Sequence, residues 1–345
     1  MNIIYLGPSY EKYLSASYQY AFEKELKSIS KNFFSYSNSG DISAKSIEYK
    51  AGFIPDLIFY NHGWLCDDPF KKSIKYANIL GSWTNKNIKH ILMLNKEYSK
   101  LKEKIEEINN YNFDMVFTHL HKCKQLDKAN KKVIFMPLAY SPQESSESKL
   151  RELKYRKYDL FFSGILQNWN FKNAQSDIRK KIQKELFYTL FDIPFKKKFK
   201  YRNYKIYWKP FYKSSIKNKI STLLHGKRLN QKNYYEKLAD SKFVLHTASP
   251  MGIISTRVFE ALGAGAIGLF SKDSEAGFLF KKNIDFIEFN GIENLIAKLS
   301  EIKDISQIDK LQKIASKGRI NVERNHTWSK RAKFFLENSK NKKTL

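Results

Sequence analysis

The chain has 345 residues and a mass of 40.7 kDa, and 42% of its residues are hydrophobic, which suits two medium domains or one large one. This composition excludes wholesale disorder and collagen-like repeats, and two cysteines, Cys66 and Cys123, exclude a disulfide scaffold. The chain has 62 Lys and Arg residues and 34 Asp and Glu residues, which gives a formal net charge of +28. Such a charge attracts nucleic acid, anionic lipid headgroups or phosphorylated substrates.

The first half of the chain alternates short apolar runs with helical patterns. Such runs are typical of buried strands, and their alternation with helices predicts a parallel sheet covered on both faces. The predicted strands are residues 2–6, 56–60, 90–94, 115–118 and 133–136, and the predicted helices begin near residues 16 and 101.

The second half repeats this alternation after a polar stretch at residues 141–149, which reads as a linker. We therefore predict an N-terminal Rossmann-like domain over residues 1–150, a C-terminal one over residues 151–325, and a last helix with a basic tail over residues 326–345. The predicted strands of the second domain are residues 159–163, 242–246 and 266–270, and its predicted helices are residues 177–190 and 255–262.

The segment from residue 242 to residue 270 carries the most chemical information. It reads as strand, loop, helix, Gly-rich exit and strand, which is half of a nucleotide-binding unit. Ser255 or Thr256 is the expected N-cap, so that the free amides of the first helical turn face a diphosphate. Arg257 is placed to add a bidentate phosphate contact, and Glu260 to accept hydrogen bonds from ribose hydroxyls. The alternative is a surface arginine and a carboxylate placed favourably in the helix's first turn.

Three motifs in this half resemble the C-terminal domain of GT-B glycosyltransferases, in the group-1-like branch that includes the spore-maturation-type proteins. They are SKFVL at residues 241–245, STRVFEALGAGAIGLF at 255–270 and NHTWSKRAKFFL at 325–336. YDLFFSG at 158–164 is similar to the strand that opens that domain. The first half resembles the family's N-terminal domain more loosely, at residues 94–119 and 133–140.

The resemblance implies an α/β protein of two Rossmann-like domains facing each other across a cleft, with the last helix packing back toward the first domain. It implies a nucleotide-sugar as substrate, an acceptor bound by the first domain, and neither a cofactor nor a metal. Gly252 stands where many relatives carry a second glutamate, so the stereochemical outcome stays open. The donor-binding candidates are Gly164, Lys227, Arg228, Ser249, Gly252, Ser255, Thr256, Arg257 and Glu260.

A transfer that inverts the anomeric configuration of the sugar needs a base that takes the proton of the acceptor hydroxyl. Three polar residues that follow predicted strands of the first half are candidates for this base. Glu97 and His62 rank before His119, because the carboxyl ends of parallel strands are where ligands bind. Each residue alone also has a purely structural interpretation. The weaker candidates are His121 and His246. The histidines show no metal-ligand spacing, so we predict no metal site.

Residues 193–235 contain thirteen Lys and Arg, ten aromatic residues and no Asp or Glu. Besides a solvated face over a packed interior, this mixture suits an anionic membrane surface or single-stranded nucleic acid. The resemblance suggests a cell-envelope saccharide or a lipid-linked glycan precursor as acceptor. Because enzymes that glycosylate lipid-linked acceptors work at the membrane surface, we favour the membrane. The alternatives are a DNA-modifying glycosyltransferase and a catalytically inactive sugar- or nucleic-acid-binding protein. Because no signal peptide or membrane-spanning run is seen, we expect a cytoplasmic protein, held peripherally at the inner membrane face.

Overall fold

The computed structural model describes residues 1–7, 17–36, 43–61, 83, 87–95, 97–142, 151–165, 182, 206–211, 229–301 and 304–340. The chain divides into two compact units. Unit 1 consists of Met1–Ala139 together with Trp328–Leu345, and unit 2 of Tyr140–Thr327. In the described part of the chain, no helix is long and apolar enough to cross a membrane.

Unit 1 is built on a six-stranded parallel sheet in the order β2-β1-β3-β4-β5-β6. The four central strands are buried along almost their whole length, as expected for a parallel sheet with both faces covered, and the edge strands β2 and β6 are partly exposed. The elements are β1 Asn2–Leu6, α1 Ser17–Ile29, β2 Asn32–Tyr36, α2 Ala44–Ala51, β3 Leu57–Asn61, β4 Lys89–Met93, α3 Leu101–Asn110, β5 Met115–Thr118 and β6 Lys132–Phe135.

Unit 2 is built on a five-stranded parallel sheet in the order β11-β10-β9-β7-β8. Its core consists of Leu, Ile and Phe side chains of the strands, packed against the helices that follow β11. The elements are β7 Tyr158–Ile165, β8 Ile206–Phe211, α4 Gln231–Ala239, β9 Ser241–His246, α5 Thr256–Gly263, β10 Ile267–Ser271, β11 Ile287–Phe289, α6 Gly291–Glu301 and α7 Ile308–Asn325.

The last helix, α8 Trp328–Lys340, belongs to unit 1. Phe335 is fully buried there, with its ring centroid 4.8 Å from that of Phe59, 5.0 Å from Phe117 and 5.8 Å from Phe22. Arg331 adds a polar anchor, because its Nε donates to the carbonyl of Pro137 over 2.8 Å. The predicted return of the C-terminal helix to the first domain is therefore confirmed.

The predicted α/β class and both parallel sheets are confirmed. Three of the described strands, β2, β8 and β11, are not among those predicted, and β8 lies within the basic and aromatic segment 193–235. β2 and β11 lie at the edges of their sheets, and β2 mixes Asn and Ser with Phe and Tyr in place of a continuous apolar run. β11 has only three residues, which is shorter than the patterns that predict a strand. The helix predicted over residues 177–190 lies outside the described residues, apart from Ile182.

A buried histidine in unit 1 makes stability depend on pH. His90 of β4 is 2% exposed, its Nδ1 lies 2.9 Å from the Tyr60 hydroxyl, and its Nε2 has no partner among the described residues. Burial lowers the pKa of His90 from 6.5 to about 4, against a smaller opposing effect of Asp114. Between pH 6.5 and pH 4, His90 is thus protonated in the unfolded chain but neutral in the folded one. The folded state therefore loses stability as the pH falls through this range.

We expect the free energy of unfolding to drop by up to about 3 kcal/mol from this residue alone between pH 7 and pH 4. Urea unfolding of the wild type and of His90→Asn at several pH values measures this loss. The variant has no group that titrates at that position, so its stability is expected to fall less steeply over the same range. Equal slopes for the two proteins would contradict the assignment.

Candidate functional site

The carboxyl edge of the unit 2 sheet leads into the N-terminus of α5. β9 ends at His246, and a loop of eight residues leads to Ser255, the N-cap of α5. The Ser255 side chain makes no capping hydrogen bond, and its Oγ lies 3.2 Å from His246 Nε2. In the described residues, the backbone amides of Thr256 and Arg257 have no hydrogen-bond partner. The first turn of α5 thus presents free N–H groups and the positive end of the helix dipole.

Three side chains form a polar cluster at the start of α5. The hydroxyl of Tyr234, on α4, donates to Glu260 Oε2 over 2.8 Å, and Arg257 also interacts with the Tyr234 hydroxyl. Burial raises the pKa of Tyr234, and the Glu260 charge raises it further. Tyr234 therefore remains a proton donor that fixes the Glu260 carboxylate. The buried Nε of Arg257 has no partner among the described residues.

The loop before α5 contains two successive residues in the left-handed backbone region, Met251 at φ 58° and Gly252 at φ 73°. A Cβ built on Gly252 would lie 3.1 Å from Cγ of Glu275, which follows β10. The stem of a glutamate at position 252 and the side chain of Glu275 therefore compete for the same space. A carboxylate-bearing side chain thus lies beside Gly252, but it comes from another loop.

The remaining donor-binding candidates are distributed as follows. Gly164 pairs with Pro210 near the carboxyl end of β7, and Ser249 accepts a hydrogen bond from the Gly252 amide over 3.2 Å. Seven of the nine candidates thus lie at the carboxyl edge of the sheet or on the loop and helix that follow it. Lys227 and Arg228 lie outside the described residues.

Sequence reasoning missed Tyr234 and Glu275 as members of this site. Tyr234 was grouped with the basic and aromatic residues of 193–235, where nothing in its neighbours indicates the contact with Glu260. Glu275 stands 23 positions after Gly252, and only the parallel pairing of β9 with β10 brings their loops together. The left-handed backbone of Glu275, at φ 56°, is invisible in the sequence.

In unit 1, Glu97 is a fully buried carboxylate after β4. Its Oε1 accepts hydrogen bonds from Thr118 Oγ1 over 2.9 Å and from the His119 amide over 2.7 Å. Its Oε2 has no partner in the described part of the chain. A buried carboxylate oxygen without a donor is costly, so this oxygen is suited to receive a proton or a ligand hydroxyl.

His119 lies beside Glu97 with a defined tautomer. Its Nδ1 is 2.8 Å from the Met136 carbonyl, which can only accept, so Nδ1 carries the proton and Nε2 of the neutral ring is the basic nitrogen. His62, the other candidate base, lies outside the described residues. His326 stacks between Phe259 and Phe280 in unit 2, which gives it a packing role. Within the described ranges, no three His, Cys, Asp or Glu side chains are grouped as metal ligands.

Comparison with known proteins identifies the fold. Residues 196–337, less than half of the chain, match a family model described as glycosyl transferase-like. A glycosyltransferase from Rickettsia africae ESF-5 superposes with a TM-score of 0.57 and 13% identity, covering 98% of this chain and 97% of that one. Sucrose-phosphate synthase from Thermosynechococcus elongatus superposes with a TM-score of 0.60 and 10% identity, covering 98% of both chains. The chain has the GT-B fold of the glycosyltransferases.

A third GT-B relative is Anabaena Alr3699/HepE, solved in complex with UDP and glucose. It has a TM-score of 0.54 and 14% identity, and 98% of this chain and 99% of that one are covered. No curated protein matches this chain. The predicted resemblance to GT-B glycosyltransferases is therefore confirmed, and the spore-maturation-type branch stays a prediction.

Proposed function

We propose that the chain transfers a glycosyl group from a nucleoside diphosphate sugar to a hydroxyl of a saccharide acceptor. The observation that carries this proposal is the Tyr234–Glu260–Arg257 cluster at the start of α5, where the amides of Thr256 and Arg257 have no partner among the described residues. The structures of HepE with UDP and with UDP-glucose support a donor of this class for a chain of the same fold.

Each part of the cluster matches one part of such a donor. Glu260, held by Tyr234, accepts hydrogen bonds from the two ribose hydroxyls. Arg257 and the amides of Thr256 and Arg257 bind the diphosphate, whose negative charge increases as the sugar leaves. Positive groups fixed in place before the reaction stabilise that charge without reorganising during it.

Glu275 is proposed to contact the hydroxyls of the transferred sugar. It lies beside Gly252, the position at which the family resemblance implies a second glutamate. A side chain at position 252 would come within 3.1 Å of Glu275 Cγ, so the Glu275 side chain would have to shift by a few tenths of an ångström to make room for it. A contact made by Glu275 would compensate for the glycine.

The acceptor is proposed to bind unit 1, with Glu97 or His119 taking the hydroxyl proton. Glu97 offers an unpartnered Oε2, and His119 offers Nε2 as a basic nitrogen. A cell-envelope saccharide or a lipid-linked glycan precursor at a membrane surface suits the net charge of +28. Acceptor trials with such glycans, with anionic vesicles and with DNA distinguish this class from the nucleic-acid alternative.

The melting temperature of the protein, measured in the presence of UDP, GDP, CDP, ADP or TDP, tests which nucleotide the donor site binds. A nucleotide at a hundred times its Kd stabilises the folded state by about 2.7 kcal/mol. We expect one nucleotide to raise the melting temperature and the matching nucleotide-sugar to be hydrolysed or transferred, in assays run with and without EDTA. If no nucleotide shifts the melt and no donor is turned over, the proposal is wrong.

For Glu97→Gln we expect turnover of the donor to fall by about 10²–10⁴, the range for loss of a general base. The glutamine oxygen can still accept from Thr118 and His119, so the melting temperature and its shift with nucleotide are expected to stay near wild type. Glu103→Gln removes an exposed carboxylate from α3 of the same unit and serves as the matched control. Equal turnover by the two variants would remove Glu97 from the mechanism and leave His119.

A further inference from the structure

Unit 2 contains a polar pocket that does not include the first turn of α5 in its lining. It has a volume of about 180 Å³, and its lining includes Arg151, Arg156, Arg319, Gln312, Ser316 and Gly265. Arg156 precedes β7, contacts the start of β9 and contacts the C-cap of α5, so the pocket lies at the amino edge of the parallel sheet. The candidate donor site lies at the opposite, carboxyl edge.

Arg156 is a buried cation that contacts only neutral groups. Its guanidinium donates to the carbonyls of Arg151, Ser241 and Ala264 over 2.9, 2.9 and 3.1 Å, and no carboxylate among the described residues touches it. It is 5% exposed, and burial lowers its pKa to about 10, an effect that Asp240 opposes and Arg319 adds to. Buried charges are normally paired, because removing them from water is costly.

The other two arginines of the pocket each use one nitrogen on a carboxylate. Arg319 Nε lies 2.7 Å from Glu323 Oε1, and Arg151 Nη1 lies 2.7 Å from Asp240 Oδ1. Their remaining guanidinium nitrogens have no described partner. The one carboxylate of the lining, Glu152, is 60% exposed and lies 3.0 Å from Lys154 Nζ.

A buried arginine that donates to backbone carbonyls does not by itself indicate a ligand site, because Arg331 of unit 1 has the same arrangement. Arg331 also donates to carbonyls, those of Pro137 and Leu138, and burial likewise lowers its pKa to about 10. What distinguishes Arg156 is a second guanidinium, Arg319, which lies close enough to lower its pKa, and a pocket into which both open. Like charges that line one pocket repel each other, and Asp240, which opposes this effect on Arg156 from a distance, does not touch its guanidinium.

We propose that this pocket binds a phosphate group, as inorganic phosphate or as the phosphate of a small phosphomonoester. The N–H groups of Arg319 and Arg151 that their carboxylate partners leave over can donate to the oxygens of a tetrahedral oxyanion, Arg156 adds positive charge at the wall of the pocket, and Ser316 and Gln312 provide neutral donors. The ligand would supply a contacting counter-charge, which Asp240 does not provide to Arg156. The site is separate from that of the donor diphosphate and does not depend on the proposed transfer reaction.

Isothermal titration calorimetry tests the proposal. The ligands are inorganic phosphate and glycerol 3-phosphate, and the ionic strength is held constant with chloride. Arg319→Gln is expected to weaken binding about tenfold or more, the usual effect of losing a charge-assisted hydrogen bond. Arg324→Gln removes an equal charge from an exposed position of the same helix and should bind like wild type. The tighter of the two ligands identifies the natural form of the phosphate.

Arg257→Gln, which alters the candidate donor site, should also retain phosphate binding in this assay. Three results would overturn the proposal. They are the absence of binding to wild type at millimolar phosphate, equal binding by the Arg319 and Arg324 variants, and loss of binding in Arg257→Gln with binding retained in Arg319→Gln. The second indicates attraction by net charge, and the third places phosphate at the donor site.

Discussion

Replacing Glu260 by glutamine is expected to remove most of the stabilisation that a nucleoside diphosphate gives to the folded protein. The carboxylate accepts from Tyr234, and in the proposed complex also from two ribose hydroxyls. Hydrogen bonds to a charged group contribute about 1.5–3 kcal/mol each, so loss of the charge should weaken nucleotide binding about 10- to 100-fold. At a nucleotide concentration of a hundred times the wild-type Kd, the stabilisation should drop from about 2.7 kcal/mol to about 0.4–1.4 kcal/mol.

Two variants make this measurement specific. Glu236→Gln removes an exposed carboxylate from α4 and should leave the nucleotide-dependent shift in melting temperature intact. Glu275→Gln should also retain the shift with the free diphosphate, but lose the additional shift that the complete nucleotide-sugar produces. A Glu260→Gln protein that is stabilised as strongly as wild type would show that the nucleotide is bound elsewhere.

Replacing Gly318 by alanine is expected to destabilise unit 2, although alanine favours helices by about 1 kcal/mol over glycine. Gly318 is buried in the middle of α7, and a Cβ there would overlap the backbone carbonyl oxygen of Asp285 and lie 3.1 Å from Leu262 Cδ2. The turn at Asp285 cannot easily retreat, because its carboxylate accepts from the Lys281 amide and from Asn321 Nδ2. We expect a net loss of about 1–3 kcal/mol, the usual cost of overpacking.

Gly277→Ala provides the comparison, because a Cβ at Gly277 meets nothing within 4 Å. Its effect should stay within about 0.5 kcal/mol, as for most surface substitutions. Urea unfolding followed by circular dichroism measures both variants. A Gly318→Ala protein as stable as wild type would mean that α7 moves away from the turn without cost.

The sequence predicts most of the buried elements because they are short, continuous and apolar. β3, β4, β7, β9 and β10 all lie where such runs occur. The edge strands β2 and β11 are different, since partial exposure removes the need for apolar residues at every position. Their pairing with buried neighbours, rather than their own composition, makes them strands.

The candidate site divides in the same way. Arg257 and Glu260 lie on one helix, and their spacing alone places them together on its first turns. Tyr234 and Glu275 join them from other elements, and their positions follow from how β9, β10 and α4 pack. In unit 1, the sequence places Glu97 after a strand, but its contact with Thr118 depends on the pairing of β4 with β5. Contacts between residues that are close in the sequence can thus be predicted from the sequence alone. Contacts between residues of different loops and helices can be seen only once the fold is known.

The assignment of α8 to unit 1 has a consequence for biosynthesis. Unit 2 is one uninterrupted stretch of chain, whereas unit 1 needs the last helix to cover Phe59 and Phe117. During translation from the N-terminus, unit 2 can therefore complete its core while unit 1 still exposes apolar rings to solvent. A chain that ends before Trp328 would therefore carry a complete second unit and a first unit whose exposed apolar rings make it prone to aggregate.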